Sequence, residues 1–290
     1  MAPRRQTTSV RLRRMAAELR RLRTAADMSR EEVSDQTGIN SVTLYRIETA
    51  KAKPQKRTLV ALLDLYGVDQ GQRDYLLALL KDAGVQGWLR PYHSELPEEY
   101  TAYISFENEA QSVRNYESLF LPGLLQTEDY ARAVIGGVLP AATDEQVEDR
   151  VRARMERQPL LTKDEPLKLW AVVDEAALRR VVGGPAVMQQ QLEHLAELGN
   201  APNITLQVIR FGAGAHPGMP GQFILLDFAD PMDTDLIYID SMAGDLFLES
   251  EADISRYRSI FDNLVAVALS PNDSVSLITE MASDLKEKGG

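Results

Sequence analysis

Two helix starts fall close together around a single glycine, and few folds accept that arrangement. In Met28-Ser29-Arg30-Glu31-Glu32-Val33, Ser29 and Glu32 form an S-x-x-E capping box, which satisfies orphan backbone donors reciprocally and opens a short helix. That helix stops at Thr37-Gly38, because glycine enters the left-handed conformation that a tight interhelical turn needs. Asn40 is a good N-cap for the next helix. At helical spacing Leu44 and Ile47 point one way, while Val42, Tyr45, Arg46 and Thr49 point the other; Pro54 closes the segment. A preceding helix over 10–26 places Leu12, Met15, Leu19 and Leu22 on one face. A following one over 56–66 does the same with Leu59, Leu62 and Leu63 before Gly67, and a fifth over 69–83 ends at Gly84. Short helix, glycine turn, short helix among helical neighbours reads as a helix-turn-helix.

Charge separates this module from the rest. Residues 1–57 hold 14 Lys and Arg against 6 Asp and Glu, a net of +8, while residues 58–290 hold 18 against 37, a net of −19. A basic N-terminal fifth on an acidic body is the footprint of a nucleic-acid module joined to something else. The absence of cysteine excludes a disulfide scaffold, thiol catalysis and cysteine-based zinc fingers. The longest wholly apolar run near the C-terminus, 264–269, is far short of the roughly 18–20 residues of a membrane span. The first 14 residues are basic without an apolar core, unlike a secretory signal, so the expected location is cytoplasmic.

The string MSREEVSDQTGINSVTLYRIETAKAKPQKRTLVALLDLYGV resembles the Xre, or Cro/phage-repressor-like, helix-turn-helix family along nearly its whole length. The resemblance implies a recognition helix in the major groove with Ser41, Val42, Tyr45 and Arg46 facing bases. Arg46 is the best candidate for a bidentate contact to guanine. Asn40, Thr43, Lys51 and Lys53 suit phosphate contacts, which position the domain without reading sequence. Arg30 stands where the family usually has glutamine, which leaves open whether it reads a base or grips a phosphate. Thr49-Ala50 replaces a glycine common in relatives, so the recognition helix is expected to run slightly further. Arg4-Arg5 and the stretch from Arg11 through Arg13 and Arg14 read either as added electrostatic affinity or as a solvated tail and helix face.

The domain reading is a flexible basic arm over 1–9, the DNA-binding domain over 10–84, a linker and docking helix over 85–112, and an effector, partner-binding and dimerisation domain over 113–290. Gly84, Gly87, Pro91 and Pro97 around Trp88 and Tyr92 mark the linker, and Pro97 starts a helix to about residue 110. Stretches 113–120, 167–174, 204–211, 222–228 and 236–240 read as strands. Those at 128–135, 145–158 (with a Thr143/Gln146 capping box), 186–198, 251–269 and 272–288 read as helices. Without strict alternation, the expected fold is an all-α head followed by an α+β domain with a mainly antiparallel sheet.

Five phrases in order, LFLPGLLQTEDYARAV, RARMERQ, VVDEAALRRVVGG, the stretch around Gln191-Leu192, and GAGAHPGMPGQFILLDF, resemble the C-terminal domain of unknown function of actinobacterial Xre regulators. These form the WhiJ-like group, some of whose members are labelled antitoxin-like. The resemblance implies a small BldB-like protein as partner.

No catalytic or metal constellation emerges, and the chain is read as neither enzyme nor cofactor protein. His93, His194 and His216 lack paired-ligand spacing, and His194 has only Glu197 three residues on. Loop 212–221 is glycine-rich without the Lys-Ser/Thr of a phosphate loop, so it reads as a mobile connection or a ligand lid. Asp227, Asp230, Asp233, Asp235 and Asp240 lack calcium-loop spacing and read as a solvated rim. Self-cleavage at Ala83-Gly84 would need Ser118 activated by Lys163 or Lys168, in a setting that does not expose the serine. Asp174-Glu175, Glu107 and Glu109 read as caps or salt bridges before a pocket lining, and the leucines of the 122–127 turn as structural before docking. The apolar positions Ile254, Tyr257, Phe261, Leu264 and Val265 read as core before interface. The sequence thus points to a transcriptional regulator, a repressor, binding a palindromic double-stranded DNA operator as a homodimer, with a small protein or small-molecule effector and no membrane association. The alternative is an antitoxin-like protein that sequesters a small partner and autoregulates its operon.

Overall fold

The structure, a computed structural model of the chain, describes residues 10–82, 96–230, 233–242 and 244–289. The arm with Arg4 and Arg5, the linker residues Trp88, Tyr92 and His93, and the Ala83-Gly84 bond lie outside the described residues. Two compact units emerge: Met1–Glu109 with Asp230–Asp233, and Ala110–Ala229 with Thr234–Gly290.

The first unit is helical, with α1 (Val10–Ala25), α2 (Arg30–Thr37), α3 (Ser41–Glu48), α4 (Lys56–Leu65), α5 (Gln70–Asp82) and α6 (Glu98–Glu109). Its core is built from the positions the helical spacing selects: Met15 and Leu19, Val33, Leu44 and Ile47, Leu59, Leu62 and Leu63, and Leu76. Each fully buried side chain of this kind stabilises by about 1.5–3 kcal/mol relative to exposure. Helix α6 follows Pro97, whose carbonyl accepts from the Thr101 N–H at 3.0 Å. It engages the basic stretch of α1: Arg11 Nε lies 3.3 Å from Glu109 Oε1, and the Arg13 guanidinium lies 4.9 Å from the Phe106 ring centre. Arg11 and Arg13 are therefore held within the unit and are not a simple solvated helix face.

The second unit is α+β. Its strands are β1 (Ser112–Glu117), β2 (Lys168–Asp174), β3 (Ile204–Ile209), β4 (Phe223–Asp227), β5 (Leu236–Ile239) and β6 (Leu246–Leu248), in the order β3-β2-β1-β4-β5-β6. The sheet is mixed: β1–β2 and β2–β3 are parallel, while β1–β4, β4–β5 and β5–β6 are antiparallel. The helices are α7 (Glu128–Val138), α8 (Asp144–Met155), α9 (Glu175–Arg179), α10 (Pro185–Leu198), α11 (Glu251–Val267) and α12 (Pro271–Gly289). Ile254, Phe261 and Leu264 of α11 pack on Tyr116, Val172, Phe223, Leu225 and Ile237, so this apolar stripe is core. The outer edge of β3 is met at Val208 by the α11–α12 connection and the start of α12: Leu269 N–H donates to the Val208 carbonyl at 2.9 Å, and Val208 N–H to Ser274 Oγ at 3.0 Å.

Several boundaries differ from expectation for local reasons. Strand β1 ends at Glu117 instead of residue 120: β4 begins at Phe223 opposite Tyr116, so pairing on that side stops there, and Glu117 is the last residue paired with β2. Helix α7 runs on through Gly136 and Gly137 to Val138. The short elements β6 and α9 were not expected from patterning. Leu124 and Leu125 are buried in a 3₁₀ turn, which removes the reading of them as exposed docking leucines. Among the described residues, no helix is long and apolar enough to cross a membrane.

Candidate nucleic-acid interface

The interface is built on two short helices whose ends are capped as the side chains dictate. Ser29 Oγ accepts from the Glu32 N–H while Glu32 Oε2 accepts from the Ser29 N–H, completing the capping box of α2. Gly38 closes α2 at φ 69°. Asn40 Oδ1 then accepts from the Val42 N–H at 2.9 Å and starts α3. Leu44 and Ile47 are buried, which turns the opposite face outward: Val42 is 64% exposed and Tyr45 42%. Thr43 and Arg46 are exposed and Ser41 is half-buried. An exposed valine beside an exposed tyrosine on a helix that buries its other face is a surface prepared for contact.

The cations around this face fall into two groups. The Arg46 guanidinium and the Lys53 ammonium have no partner among the described residues, and both side chains are exposed. Lys51 and Arg30 are instead organised around Tyr45. Lys51 Nζ lies 5.2 Å from the ring centre and 3.5 Å from the hydroxyl, and the Arg30 guanidinium lies 5.3 Å from the same ring. Arg30 Nε also donates to Glu48 Oε2 at 2.8 Å. One edge of Arg30 is thus committed inside the protein, and only the remainder faces outward.

Glu48 is the residue that sequence reasoning gave no role. Its carboxylate is fully buried and also receives Arg23 Nε at 2.7 Å, so it ties α1, α2 and α3 together. These bonds hold the Arg23 guanidinium charged beyond its ordinary value, against the opposing effect of burial. The available signal was an acid one residue after inward-facing Ile47, on a helix whose outer face is basic. The helix does not run further than usual. It ends at Glu48, and Ala50 adopts φ 54°, a left-handed conformation that glycine enters most readily. The N–H groups of Lys51 and Ala52 both return to the Arg46 carbonyl, at 2.7 and 3.1 Å, and fix that turn.

Comparison with known families assigns both regions. Residues 14–76 match a helix-turn-helix domain, and residues 100–280, more than half the chain, match a domain of unknown function, DUF5753. The chain belongs to the DUF5753 family. No curated protein and no solved structure matches it.

Within the DUF5753 region, the phrases that stood out in the sequence meet at one buried polar junction. Gln126 Nε2 donates to the Leu121 carbonyl at 2.7 Å and Gln126 Oε1 accepts from Arg154 at 2.8 Å. Gln158 Nε2 donates to the Gln126 carbonyl at 2.6 Å. Gln191, with no exposed surface, accepts from the Thr127 N–H at 2.6 Å and donates to the Leu125 carbonyl at 2.8 Å. A side chain at Gly123 would press on the Arg157 guanidinium, with a Cβ 3.3 Å from it. The LPGLLQT turn, the RARMERQ helix end and Gln191 therefore form one brace.

The other singled-out residues separate. Asp174 caps α9 through the Ala176 N–H at 2.8 Å and lies 3.2 Å from His216 Nε2, anchoring the 212–221 loop. Glu175 is buried beneath Arg179 and the Phe211 N–H. Asp227 and Asp235 are not a solvated rim, because both are gripped by Arg258, with Asp227 at 2.9 Å and also bound by Ser112 at 2.8 Å. Glu107 accepts from the Tyr103 hydroxyl. Burial pushes the Glu109 carboxyl up despite Arg11, and pushes His194 down despite Glu197. Glu117 is pushed up to about 8 by burial, with the Arg154 guanidinium opposing. Among the described residues, no three His, Asp or Glu side chains group as a metal site.

Proposed function

We propose that the chain is a sequence-specific DNA-binding transcriptional regulator of the Xre type, a repressor acting in the cytoplasm, whose DUF5753 region is a binding platform of the WhiJ-like group. The observation that carries this is the outward face of α3: Val42, Tyr45 and Arg46 exposed, capped by Asn40 and backed by buried Leu44 and Ile47, in a region matching a helix-turn-helix domain. Ser41, Val42, Tyr45 and Arg46 read bases, and Asn40, Thr43, Lys51 and Lys53 hold phosphates. Arg30 acts chiefly by holding Tyr45 and Glu48 in place. The head spans 10–84 and the platform 113–290, joined through 85–112. The regulator works as a homodimer on a palindrome, since one small head makes too few contacts.

The platform binds and does not catalyse. The register supports this against self-cleavage: Lys168 lies opposite Ser112, six residues and about 20 Å of strand from Ser118. A small BldB-like protein, or a small molecule, bound to the platform shifts DNA affinity by its preference for one of two states. DNA selection from a random duplex pool with the full chain tests the reading. An enriched palindrome bound with affinity that falls steeply with salt supports it. No enrichment, together with tight capture of a small neighbour-encoded protein, would favour the antitoxin-like role instead.

A further inference from the structure

Beyond the carboxyl ends of the parallel strands β2 and β3 lies a cavity of about 480 Å³. That size is within the range of small-ligand sites, and in parallel α/β sheets such sites form beyond the carboxyl ends of the strands. Its apolar wall is Phe211, Val267 and Leu269. Phe211 is 59% exposed and Val267 45%, although burial of either would be favourable. The main chain at Phe211 is fixed there, its N–H donating to Glu175 Oε2 at 2.8 Å. At Gly212 an added Cβ would meet nothing within 4 Å, so the cavity is open on that side.

The polar wall is Glu175 and Arg210. Burial pushes the Glu175 carboxyl upward, yet the Phe211 N–H and the Arg179 guanidinium overcome it and hold the group below its ordinary value. Arg179 is the close partner, with Nε 2.6 Å from Oε1, and it neutralises the carboxylate from outside the cavity. Arg210 is the distant one: its Nε lies 3.7 Å from Oε2, its side chain is half exposed, and its guanidinium makes no hydrogen bond among the described residues. The cavity therefore presents an apolar surface with one available guanidinium, the donor geometry that matches a carboxylate.

We infer that this cavity binds a small carboxylate with an apolar body, its carboxylate on Arg210 and its body against Phe211, Val267 and Leu269. The inference rests on reading the DUF5753 region as a binding platform, and it names the effector's chemical class. Calorimetric titration of the full chain with benzoate, 4-phenylbutyrate and octanoate, each beside the alcohol of the same skeleton, tests it. At least one carboxylate binds saturably, and its alcohol binds about tenfold or more weakly, the loss expected for a charge-assisted pair. Arg210→Ala brings the carboxylate down to the alcohol's level, and Val267→Trp, at an exposed position, blocks both while thermal unfolding is unchanged. Saturable binding of none of the three, binding indifferent to both substitutions, or binding only of an Asp/Glu-rich peptide would overturn it. DNA affinity measured in parallel separates the two claims. Carboxylate binding without DNA binding contradicts the regulator reading alone, and DNA binding without carboxylate binding contradicts this inference alone.

Discussion

Glu48 shows how a single buried charge organises a surface that must stay exposed. Two guanidiniums converge on it from α1 and α2, and one of them, Arg30, also supports the Tyr45 ring that faces outward. Removing the acid leaves both cations facing each other with nothing between, so Glu48→Ala is expected to destabilise by about 3 kcal/mol in denaturant unfolding. A loss within experimental error would show that the arginines find solvent without it. Two backbone positions give a second check. Asp27 is exposed at φ 54°, where an L side chain is strained, and Asp27→Gly is expected to stabilise by about 1 kcal/mol. Gly38→Ala, at φ 69°, is expected to destabilise by about 1 kcal/mol or more. Changes of the same sign at both sites would contradict the role assigned to the left-handed turns.

Helices and strands were legible to different depths. Where a signal is local it read directly: Ser29 with Glu32 and Thr143 with Gln146 are capping boxes, and Leu44 and Ile47 face inward. Parallel pairing of β1, β2 and β3 was not legible, because register between distant strands depends on the helices packed over them and not on alternation. The three-residue strand β6 and five-residue helix α9 are too short to carry a period. Glu48 was silent because its partner Arg23 is distant in sequence, and Gln191 stood out only by resemblance, with nothing local to point to its partner Thr127. Strand β1 carries a pH signature of its own. The folded chain keeps a proton on Glu117 up to about pH 8, whereas its ordinary value is 4.5. Between those values the unfolded state binds fewer protons, so stability falls as pH rises from about 4.5 to about 8. Glu117→Gln removes that part of the decline in unfolding measured across this window; an unchanged slope would mean the group is not the one titrating.

For the chain taken entire, the proposed function rests on a division of charge and surface. The +8 segment carries the exposed α3 face, and the −19 remainder is electrostatically unsuited to lie on DNA. The apolar stripe of α11 is occupied by the sheet, so a homodimer has to use another surface. Sedimentation at micromolar concentration is expected to give twice the 32.3 kDa chain mass, and a single-chain mass would remove the two-fold mechanism. In the proposed complex α3 reads sequence through Arg46, whereas Lys53 only grips the backbone. Titrating the selected palindrome and a scrambled duplex at one fixed salt with the parent chain, Arg46→Ala and Lys53→Ala tests it most directly. The account predicts that Arg46→Ala loses about 1–3 kcal/mol on the palindrome and little on the scrambled duplex, while Lys53→Ala weakens both alike. Equal losses on both duplexes for Arg46→Ala would contradict it.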